Sequence, residues 1–557
     1  MNPAQLLAHF DRISEAPDAI PRLRRFILDL AVRGKLVEQD PKDEPAFRLP
    51  ERAEASSEGE ERPFSVPASW AWLPVGAIGT SRLGKMLDRG KNKGTPRRYL
   101  RNVNVRWFDF DLSDVMEMRF EDSELEEFSL RSGDVLICEG GEPGRAAVWD
   151  ERETDIYFQK AIHRVRFAEG VSPHYFADVL RQSAESGRLA THFTGVAIKH
   201  LTGRGLSAFL VPLPPLGEQH RIVAKVDELM ALCDRLEAAQ AERESRRDRL
   251  AAASLNRLNQ SADAAGAPAF RDHARFHLRH LPRLSTRPDQ IPALRQTILN
   301  LAVRGQLVPQ DPTDESASVL LERVQALKAR LAGEGKIARQ KPPRPATADE
   351  LVFELKPGWQ PAKISQVLVE LQTGPFGSSL HQSDYEKGGT PVINPASIKN
   401  ERLIPIDSMA VGAATLERLA TFKLRTGDIV MGRRGEMGRC AVVTRQEDGW
   451  LCGTGSLILR LPECVFPRFL VTLIGSPLVR EYLGGSAVGA TMQNLNQSIL
   501  LTLVIGLPPL AEQHRIVAKV DELMALCDRL EAQLTGAQTE SRLLLEAVLH
   551  HALAPVA

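Results

Sequence analysis

The sequence is poor in the residues that disulfide frameworks and zinc sites need. It contains 6 cysteines in 557 residues, with no CxxC pair and no spacing of Cys and His that is typical of a zinc site. It also has no net charge, because 71 lysines and arginines balance 71 aspartates and glutamates. We therefore expect a reduced, cytosolic protein that holds no metal and is not a general binder of polyanions, since such binders usually carry a basic excess.

Long apolar runs and enzyme motifs are missing too. The longest uncharged apolar stretch, residues 499–510, is about a dozen residues long and is interrupted by Gly506 and Pro508, whereas a membrane span needs about 20. No glycine-rich phosphate loop is present. Residues 394–397, Asn-Pro-Ala-Ser, lack the second proline and the aromatic residue that an amino-methyltransferase would show. We expect no membrane span, no catalytic residue and no cofactor in this chain.

What the sequence does contain is an internal duplication. Residues 213–238 and 507–532 match at 25 of 26 positions, and residues 23–46 and 294–317 match at 17 of 24. Such agreement indicates that one sequence unit was duplicated, and we therefore expect two structural units of related fold.

The segments between the matched blocks have diverged. They share only a thin framework: residues 131–148 align with 425–442, beginning with the turns RSGDV and RTGDI, and residues 195–201 align with 489–495. Random drift would lower the sequence identity of all parts equally. We therefore interpret the matched blocks as connectors under a common docking constraint, and the divergent segments as modules that recognise different ligands. The predicted division is an N-terminal helical repeat segment (1–46), a first recognition domain (47–212), a central helical repeat region (213–332), a second recognition domain (333–506) and a C-terminal repeat helix (507–557).

The repeated block has the pattern of a long helix. Ile222, Val226, Leu229, Cys233 and Leu236 follow alternating four- and three-residue steps, which is the seam of a coiled coil. We expect helices of about 40 residues, or roughly 60 Å. The two copies are expected to pair as an antiparallel coiled coil, and packing of each copy on its own domain is the alternative.

The chain ends and the connecting segments complete this organisation. The N-terminal repeat segment has no long helix before it and the C-terminal helix has no such segment after it, so we expect the two ends to pack together. Residues 259–270 read as a loop or a frayed linker, and residues 51–62 and 333–348 read as solvated linkers. Short apolar runs at 134–137, 163–167, 428–431 and 457–461 predict buried strands in the divergent domains.

A basic stretch in the first domain suggests contact with nucleic acid. Residues 82–106 contain nine basic residues against one acidic residue, a net charge of +8. This charge is interleaved with Gly, Asn and Tyr99, as in a surface that contacts phosphates and bases, and a solvated loop is the alternative. The DNA-binding candidates here are Lys91, Lys93, Arg97, Arg98 and Arg101.

Other candidates come from loops that align between the two domains. In the sequence alignment of the two domains, Lys199 and His200 of the first correspond to the segment of the second that contains Gln493, Asn494 and Asn496. Gln and Asn pair with adenine edges and Lys or Arg with guanine, so different side chains at one framework position suit two modules that read different sequences. The further candidates in the second domain are Ser378, Ser379, Tyr385, Lys399, Arg433 and Arg434.

These features together resemble the specificity subunit of type I restriction–modification enzymes. The resemblance covers nearly the whole chain. It rests on PPLGEQHRIV (214–223) and PPLAEQHRIV (508–517), on LAVRGKLV and LAVRGQLV, on two Arg-x-Gly-Asp turns, and on GPFGSSL (374–380).

The resemblance implies two target-recognition domains that each read one half of a split double-stranded DNA sequence, held apart by paired helices. It implies that the repeated segments dock two methyltransferase subunits and that restriction subunits join this core. S-adenosylmethionine, ATP and Mg²⁺ would belong to those partners, and a methyltransferase would flip an adenine out of the duplex in each half-site. The docking candidates are Glu218, Gln219, His220 and Arg221 with their second-copy equivalents Glu512, Gln513, His514 and Arg515.

The expected fold class is therefore α+β, with two pseudo-symmetric mixed α/β target-recognition domains separated by a long antiparallel helical coiled coil. Three other functions stay open: a specificity subunit of a methylation-only complex, a non-catalytic coiled-coil scaffold that binds protein or glycan, and an enzyme with its own nuclease or methyltransferase activity. The basic stretch argues against the scaffold, and the missing motifs argue against the enzyme.

Overall fold

The chain folds into two units, each of which contains one divergent domain. The computed structural model describes residues 16, 18–44, 62–88, 90–196, 198–264, 266–338, 344–351, 353–435, 438–485 and 495–553. Unit 1 comprises residues 1–243 and 538–557, and unit 2 comprises residues 244–537. The linker predicted at 51–62 lies outside the described residues, apart from Arg62.

The two longest helices are those that the repeated block predicts. They are α6, with 49 residues, and α15, with 44. The helices in the described residues are α1 (Ala19–Val32), α2 (Val75–Ile78), α3 (Leu125–Phe128), α4 (Pro173–Glu185), α5 (Gly203–Ala208), α6 (Leu216–Ala264), α7 (Gly266–Leu284), α8 (Ile291–Val303), α9 (Ala317–Gly333), α10 (Ile364–Val367), α11 (Ala413–Arg418), α12 (Pro467–Gly475), α13 (Pro477–Gly485), α14 (Gln497–Thr502) and α15 (Leu510–Leu553). None of these helices is both long and apolar enough to span a bilayer.

The strands are short, and eleven described strands fall in each unit. In unit 1 they are β1 (Ala71–Pro74), β2 (Gly79–Leu83), β3 (Thr95–Leu100), β4 (Met116–Phe120), β5 (Val135–Cys138), β6 (Ala146–Val148), β7 (Ile156–Phe158), β8 (Ile162–Phe167), β9 (Phe193–Thr194), β10 (His200–Leu201) and β11 (Leu210–Leu213). In unit 2 they are β12 (Gln360–Lys363), β13 (Glu370–Thr373), β14 (Tyr385–Ile393), β15 (Ile398–Lys399), β16 (Arg402–Leu403), β17 (Ala410–Val411), β18 (Ile429–Gly432), β19 (Cys440–Val442), β20 (Leu451–Cys452), β21 (Ser456–Arg460) and β22 (Val504–Leu507).

The two units repeat one sheet topology. A four-stranded antiparallel sheet has the order β2-β8-β5-β6 in unit 1 and β13-β21-β18-β19 in unit 2. A second, three-stranded sheet has the orders β4-β3-β7 and β17-β14-β20, each with one parallel pair. The strands predicted from apolar runs are confirmed within one residue as β5, β8, β18 and β21. The central strands β5 and β18 are buried along their whole length, which explains their uninterrupted apolar sequences.

The first turns of the long helices pack inside their own units. In unit 1, Ile222 and Val226 of α6 belong to one core with Ile27 of α1 and Tyr175 of α4. Leu236, the last residue of the predicted seam, is 41% exposed. The first turns of the long helices therefore pack on their own domains, which was the alternative to pairing of the two copies. In unit 1, α1 and α4 cover the apolar stripe of α6.

The predicted contact between the chain ends is confirmed within unit 1. Ala16 and Ala19 form a small buried cluster with Leu545 and Val548 of α15. Nearby, the Nζ of Lys35 donates a hydrogen bond of 2.8 Å to the backbone oxygen at residue 553.

The loop predicted at residues 259–270 is wrong. Helix α6 continues to Ala264 and α7 begins at Gly266. Alanine has the highest intrinsic helix propensity, and Pro268 lies in the first turn of α7, where its missing N–H breaks no hydrogen bond. The expected fold class is confirmed in its α+β character, its two related mixed domains and its long repeat helices.

Candidate nucleic-acid interface

Helix α6 begins in a buried network of polar groups. Glu218 is 1% exposed, and its carboxylate accepts hydrogen bonds from Trp70 Nε1 at 3.0 Å and from Gln39 Nε2 at 2.7 Å. Burial raises the pKa of Glu218 above its usual range, and the indole hydrogen bond opposes this shift. The network ties the N-terminal repeat segment and the first domain to the start of the helix.

Helix α15 begins in the same network, formed by equivalent residues. Glu512 is 1% exposed and accepts hydrogen bonds from Trp359 Nε1 at 3.0 Å and from Gln310 Nε2 at 3.0 Å. Its pKa is likewise raised by burial. We call these two clusters the helix-start networks.

The next residues of the repeated motif extend both networks. The amide of Gln219 is buried and accepts a hydrogen bond of 2.7 Å from the backbone N–H of Ser172. Arg221 forms an ion pair of 2.6 Å with Asp43, and this arginine holds the pKa of the Asp43 carboxyl below its usual range.

Unit 2 repeats these contacts as well. Gln513 accepts a hydrogen bond of 2.9 Å from the backbone N–H of Phe466, and Arg515 pairs with Asp314 at 2.6 Å. Both units therefore connect their repeat segment to their long helix through the same atoms.

These contacts correct part of the docking prediction. Glu218, Gln219, Glu512 and Gln513 are each no more than 1% exposed, so they cannot contact a partner and instead hold the fold together. Arg221 and Arg515 are engaged in the ion pairs described above. Of the eight docking candidates, only His220 and His514 are exposed, and the His514 ring stacks on Phe466 with the ring centroids 4.0 Å apart.

The sequence did not single out Gln39 and Asp43 as partners in these networks, although the repeated block that contains them was a signal. Gln39 and Asp43 lie in the block that matches residues 294–317, and their equivalents are Gln310 and Asp314. The near-identity of that block therefore has a structural cause. The two tryptophans lie outside the matched blocks.

The repeat helices also carry identical side chains that are exposed. Leu232 is 42% exposed in α6, and its equivalent Leu526 is 43% exposed in α15. Lys225 pairs with Glu228 at 2.8 Å on the same helix, and the second copy repeats this pair at 2.9 Å. These exposed positions are not explained by packing within either unit.

In the basic stretch 82–106, most of the charge is paired. Seven of the eight described basic residues form ion pairs with carboxylates, and Arg89 lies outside the described residues. The pairs are Arg82–Glu127, Lys85–Glu124, Lys91–Asp88, Arg97–Asp155, Arg98–Glu153, Arg101–Asp114 and Arg106–Asp111. The net charge of the sequence window therefore overstates the positive charge of the surface.

Two lysines of this stretch stay accessible. The side chain of Lys91 is 88% exposed and lies 3.6 Å from Asp88. Lys93 is exposed and has no acidic partner among the described residues. The arginines are less accessible, since the Arg97 and Arg101 side chains are 29% and 21% exposed and each already pairs with a carboxylate.

The aligned loop of unit 1 is a hairpin with a fixed base. Strands β9 and β10 pair antiparallel, and Leu201 is buried and donates its backbone N–H to the oxygen of Glu139 at 2.8 Å. Lys199 is exposed near the tip, and His200 is half-buried at the base. Of these two candidates, Lys199 has the greater access to a ligand.

The equivalent loop of unit 2 is described only in part, because Gln493 and Asn494 lie outside the described residues. Arg433 accepts a backbone hydrogen bond of 2.9 Å from Leu495, as its equivalent Glu139 does from Leu201. Asn496 caps α14 by accepting a hydrogen bond of 3.2 Å from the backbone N–H of Ser498. Its role in the structure is thus that of a helix cap.

The remaining candidates of unit 2 lie on separate elements. Ser378 is exposed and Ser379 half-buried in the loop after β13, whereas Tyr385 is half-buried at the start of β14. Lys399 ends β15 and lines a cavity of about 500 Å³ together with Glu401, Arg439 and Arg480. Arg434 is exposed, next to Arg433.

The shared Arg-x-Gly-Asp turns are structural. Asp134 is 1% exposed, accepts the backbone N–H of Arg131 at 2.8 Å, and forms two hydrogen bonds of 2.7 Å with Arg166. Asp428 accepts the backbone N–H of Arg425 at 2.9 Å in the same way. Within the described residues, no group of three or more His, Cys, Asp or Glu side chains is arranged to hold a metal ion.

Comparison with known proteins gives concordant matches. The family model for the type I restriction modification DNA specificity domain matches residues 121–243 and 357–536, which is more than half of the chain. The specificity subunit of the type I restriction enzyme EcoEI from Escherichia coli is 26% identical over 575 residues, covering 96% of this chain and 94% of that protein. The EcoAI specificity subunit from the same species is 28% identical over 560 residues, covering 94% and 92%.

Among solved structures, the chain is similar to the HsdS subunit from Thermoanaerobacter tengcongensis. The superposition covers 88% of this chain and 98% of that chain, with 20% sequence identity and a TM-score of 0.45.

Proposed function

The chain belongs to the type I restriction–modification DNA specificity family, and from this premise we propose that each unit reads one half of a two-part DNA sequence. The observation that carries the proposal is the contrast between framework and surface. The two units repeat one sheet order and one helix-start network, while the loops that leave this framework differ in sequence and charge. Two modules of one fold with different surfaces suit two different DNA half-sites.

Positioning on the duplex is assigned to the accessible cations. Lys91 and Lys93 in unit 1 and Arg434 in unit 2 are exposed and basic. Contacts between such residues and phosphates orient a protein on DNA without reading its sequence. Base reading is assigned to the loops that differ between the units, in which Lys199 and Ser378 are exposed.

The exposed faces of the repeat helices suit one partner bound twice. Buried residues of the repeated motif must be identical because both networks use the same atoms. Leu232 and Leu526, by contrast, are each more than 40% exposed and still identical. An external constraint common to both helices explains this, and two methyltransferase subunits, one on each helix, would supply it.

Chemistry is assigned to the partners. The curated relatives are specificity subunits of restriction enzymes, and this chain shows no phosphate loop and no methyltransferase tetrapeptide. We therefore place S-adenosylmethionine, ATP and Mg²⁺ in the methyltransferase and restriction subunits.

The proposal is tested by methylation of a DNA library with randomised sequence. The purified chain is combined with the methyltransferase subunit of its own system, and methylated molecules are sequenced. The expected result is a motif of two defined parts separated by unspecified bases, which disappears when the chain is omitted. A single uninterrupted motif, or the same motif without this chain, would overturn the proposal.

A further inference from the structure

Two large apolar side chains are exposed at the same framework position in the two units. Met86 follows β2 in unit 1 and is 57% exposed, and Phe376 follows β13 in unit 2 and is 67% exposed. Each lies six positions after an equivalent strand residue, Thr80 in β2 and Glu370 in β13. Exposed apolar residues are common, and Leu87 beside Met86 is itself 45% exposed, but of these two positions only that of Met86 is apolar and exposed in both diverged domains, which calls for an explanation.

The chain leaves both strands along the same path. Gly84 donates its backbone N–H to the oxygen of Ile162 at 3.0 Å, and Gly374 donates to the oxygen of Ser456 at 2.9 Å. A Cβ on Gly84 would lie 2.3 Å from a backbone oxygen, and one on Gly374 would lie 2.2 Å from the equivalent oxygen. Both loops are therefore held against the sheet two residues before the exposed side chain.

The backbone of each exposed residue is also fixed from within its loop. The side-chain amide of Asn92 donates to the oxygen of Met86 at 3.1 Å. The backbone N–H groups of Ser379 and Leu380 donate to the oxygen of Phe376 at 2.8 and 3.2 Å, and Leu380 is buried. Both side chains thus project into solvent from a preorganised backbone.

The surroundings of these side chains indicate the kind of ligand. Exposed polar groups share the loops: Lys91 and Lys93 follow Met86, and Ser378 follows Phe376. The major groove of DNA combines charged phosphates with an apolar thymine 5-methyl group, and Phe is among the residues that contact this methyl. A protein partner common to both units would require the same residue at both positions, as on the repeat helices. Here the two equivalent positions differ, with Met86 in unit 1 and Phe376 in unit 2.

We propose that Met86 and Phe376 are equivalent specificity-determining residues, each of which packs against the 5-methyl group of a thymine in the half-site that its own unit reads. This inference rests on the proposed function. Because the side chains differ in shape, the position of the thymine that each one contacts is expected to differ between the half-sites.

The test uses the complex of the full chain with its methyltransferase subunit on a DNA library with randomised sequence. Phe376→Ala should lower the preference for thymine about fourfold at one position of the second half-site, which is the value of one buried methyl group. The first half-site should be unchanged. Met86→Ala should give the reverse pattern. The matched control is Leu278→Ala, since Leu278 is 66% exposed on helix α7 and should leave both half-sites unchanged.

A second measurement isolates the methyl contact. The thymine identified in this way is replaced by deoxyuridine, which lacks only the 5-methyl group. The wild-type complex should bind the deoxyuridine duplex about fourfold more weakly than the thymine duplex. The Phe376→Ala complex should bind the two duplexes equally.

The outcomes separate this inference from the function on which it rests. A wild-type complex that methylates no two-part motif would overturn both. If the wild-type motif is found but Phe376→Ala weakens all sequences equally, leaves base preference unchanged, or responds to deoxyuridine as the wild type does, only the base-contact assignment is overturned.

Discussion

The indole Nε1 of Trp70 donates a hydrogen bond of 3.0 Å to the buried carboxylate of Glu218. Trp359 and Glu512 repeat this contact at 3.0 Å in the other unit. The same pair of side chains therefore joins a recognition domain to a long helix twice in one chain. This explains why the helix starts stayed nearly identical while the domains diverged.

Removing the indole donor should destabilise each unit. Trp70→Phe leaves the Glu218 carboxylate buried with one donor fewer, and we expect a loss of about 1 to 3 kcal/mol in the free energy of unfolding. Trp359→Phe should have a similar cost, because its geometry is the same. Urea unfolding, monitored by hydrogen exchange in each unit, measures both losses.

The control for this prediction is Trp107→Phe. Trp107 also donates to a glutamate, Glu142, at 2.8 Å, but that side chain is 54% exposed and water can replace the donor. A cost for Trp107→Phe as large as that for Trp70→Phe would contradict the importance of burial.

Lys93→Ala should weaken DNA binding about equally for every sequence. As a phosphate contact, Lys93 should also contribute about one unit to the slope of log affinity against log salt concentration. Arg101→Ala should change this slope less, because Arg101 already pairs with Asp114 at 2.6 Å. Titration of labelled duplexes at several salt concentrations gives both slopes, and a loss confined to one half-site would contradict the assignment of Lys93.

A charge on the exposed face of one repeat helix should remove one methyltransferase subunit. Leu232→Asp is expected to leave a complex with a single methyltransferase on α15, and Leu526→Asp one on α6. Native mass spectrometry counts the bound subunits, and the double variant should bind none. Leu278→Asp places the same charge on an exposed leucine of α7 and should retain both subunits. Full assembly of the double variant would show that the methyltransferase binds elsewhere.

The contact between helices α6 and α7 should be sensitive to mild acid. His277 is 3% exposed and hydrogen-bonds to Ser254 Oγ at 3.0 Å, and burial lowers its pKa below the usual value of about 6.5. The unfolded state therefore binds a proton at higher pH than the folded state. The contribution of neutral His277 to stability is fully present above about pH 6.5, and this contribution is lost as the pH falls through the folded pKa of His277.

Hydrogen exchange of α7 between pH 7.5 and pH 5.5 measures this effect. Local opening should become more favourable at the lower pH, after correction for the intrinsic exchange rate. His277→Phe should flatten this dependence, while His280→Gln on the same helix should retain it. A pH dependence that persists in His277→Phe would assign the effect to another group.

Sequence reasoning succeeded where the pattern was local or repeated. The matched blocks revealed the duplication and the long helices, and short apolar runs located β5, β8, β18 and β21 within one residue. The closure of the N-terminal segment on α15 also followed from the order of the repeats.

Sequence reasoning failed where distant parts of the chain meet. The basic stretch 82–106 suggested a strongly positive surface, but Glu153 and Asp155, from the turn before β7, pair with Arg98 and Arg97. No local pattern encodes such pairs. Likewise, the sequence resemblance suggested Glu218 as a docking residue, and only its contact with Trp70 in the folded chain shows it to be buried.

The most direct test of the central claim is long-read sequencing of DNA methylation in cells with and without this chain, alongside the methyltransferase of its own system. A two-part motif with an unspecified spacer should lose methylation at both half-sites when the chain is deleted and regain it when the chain is restored. Unchanged methylation after deletion of an expressed chain would contradict the claim that this protein selects the DNA sequence.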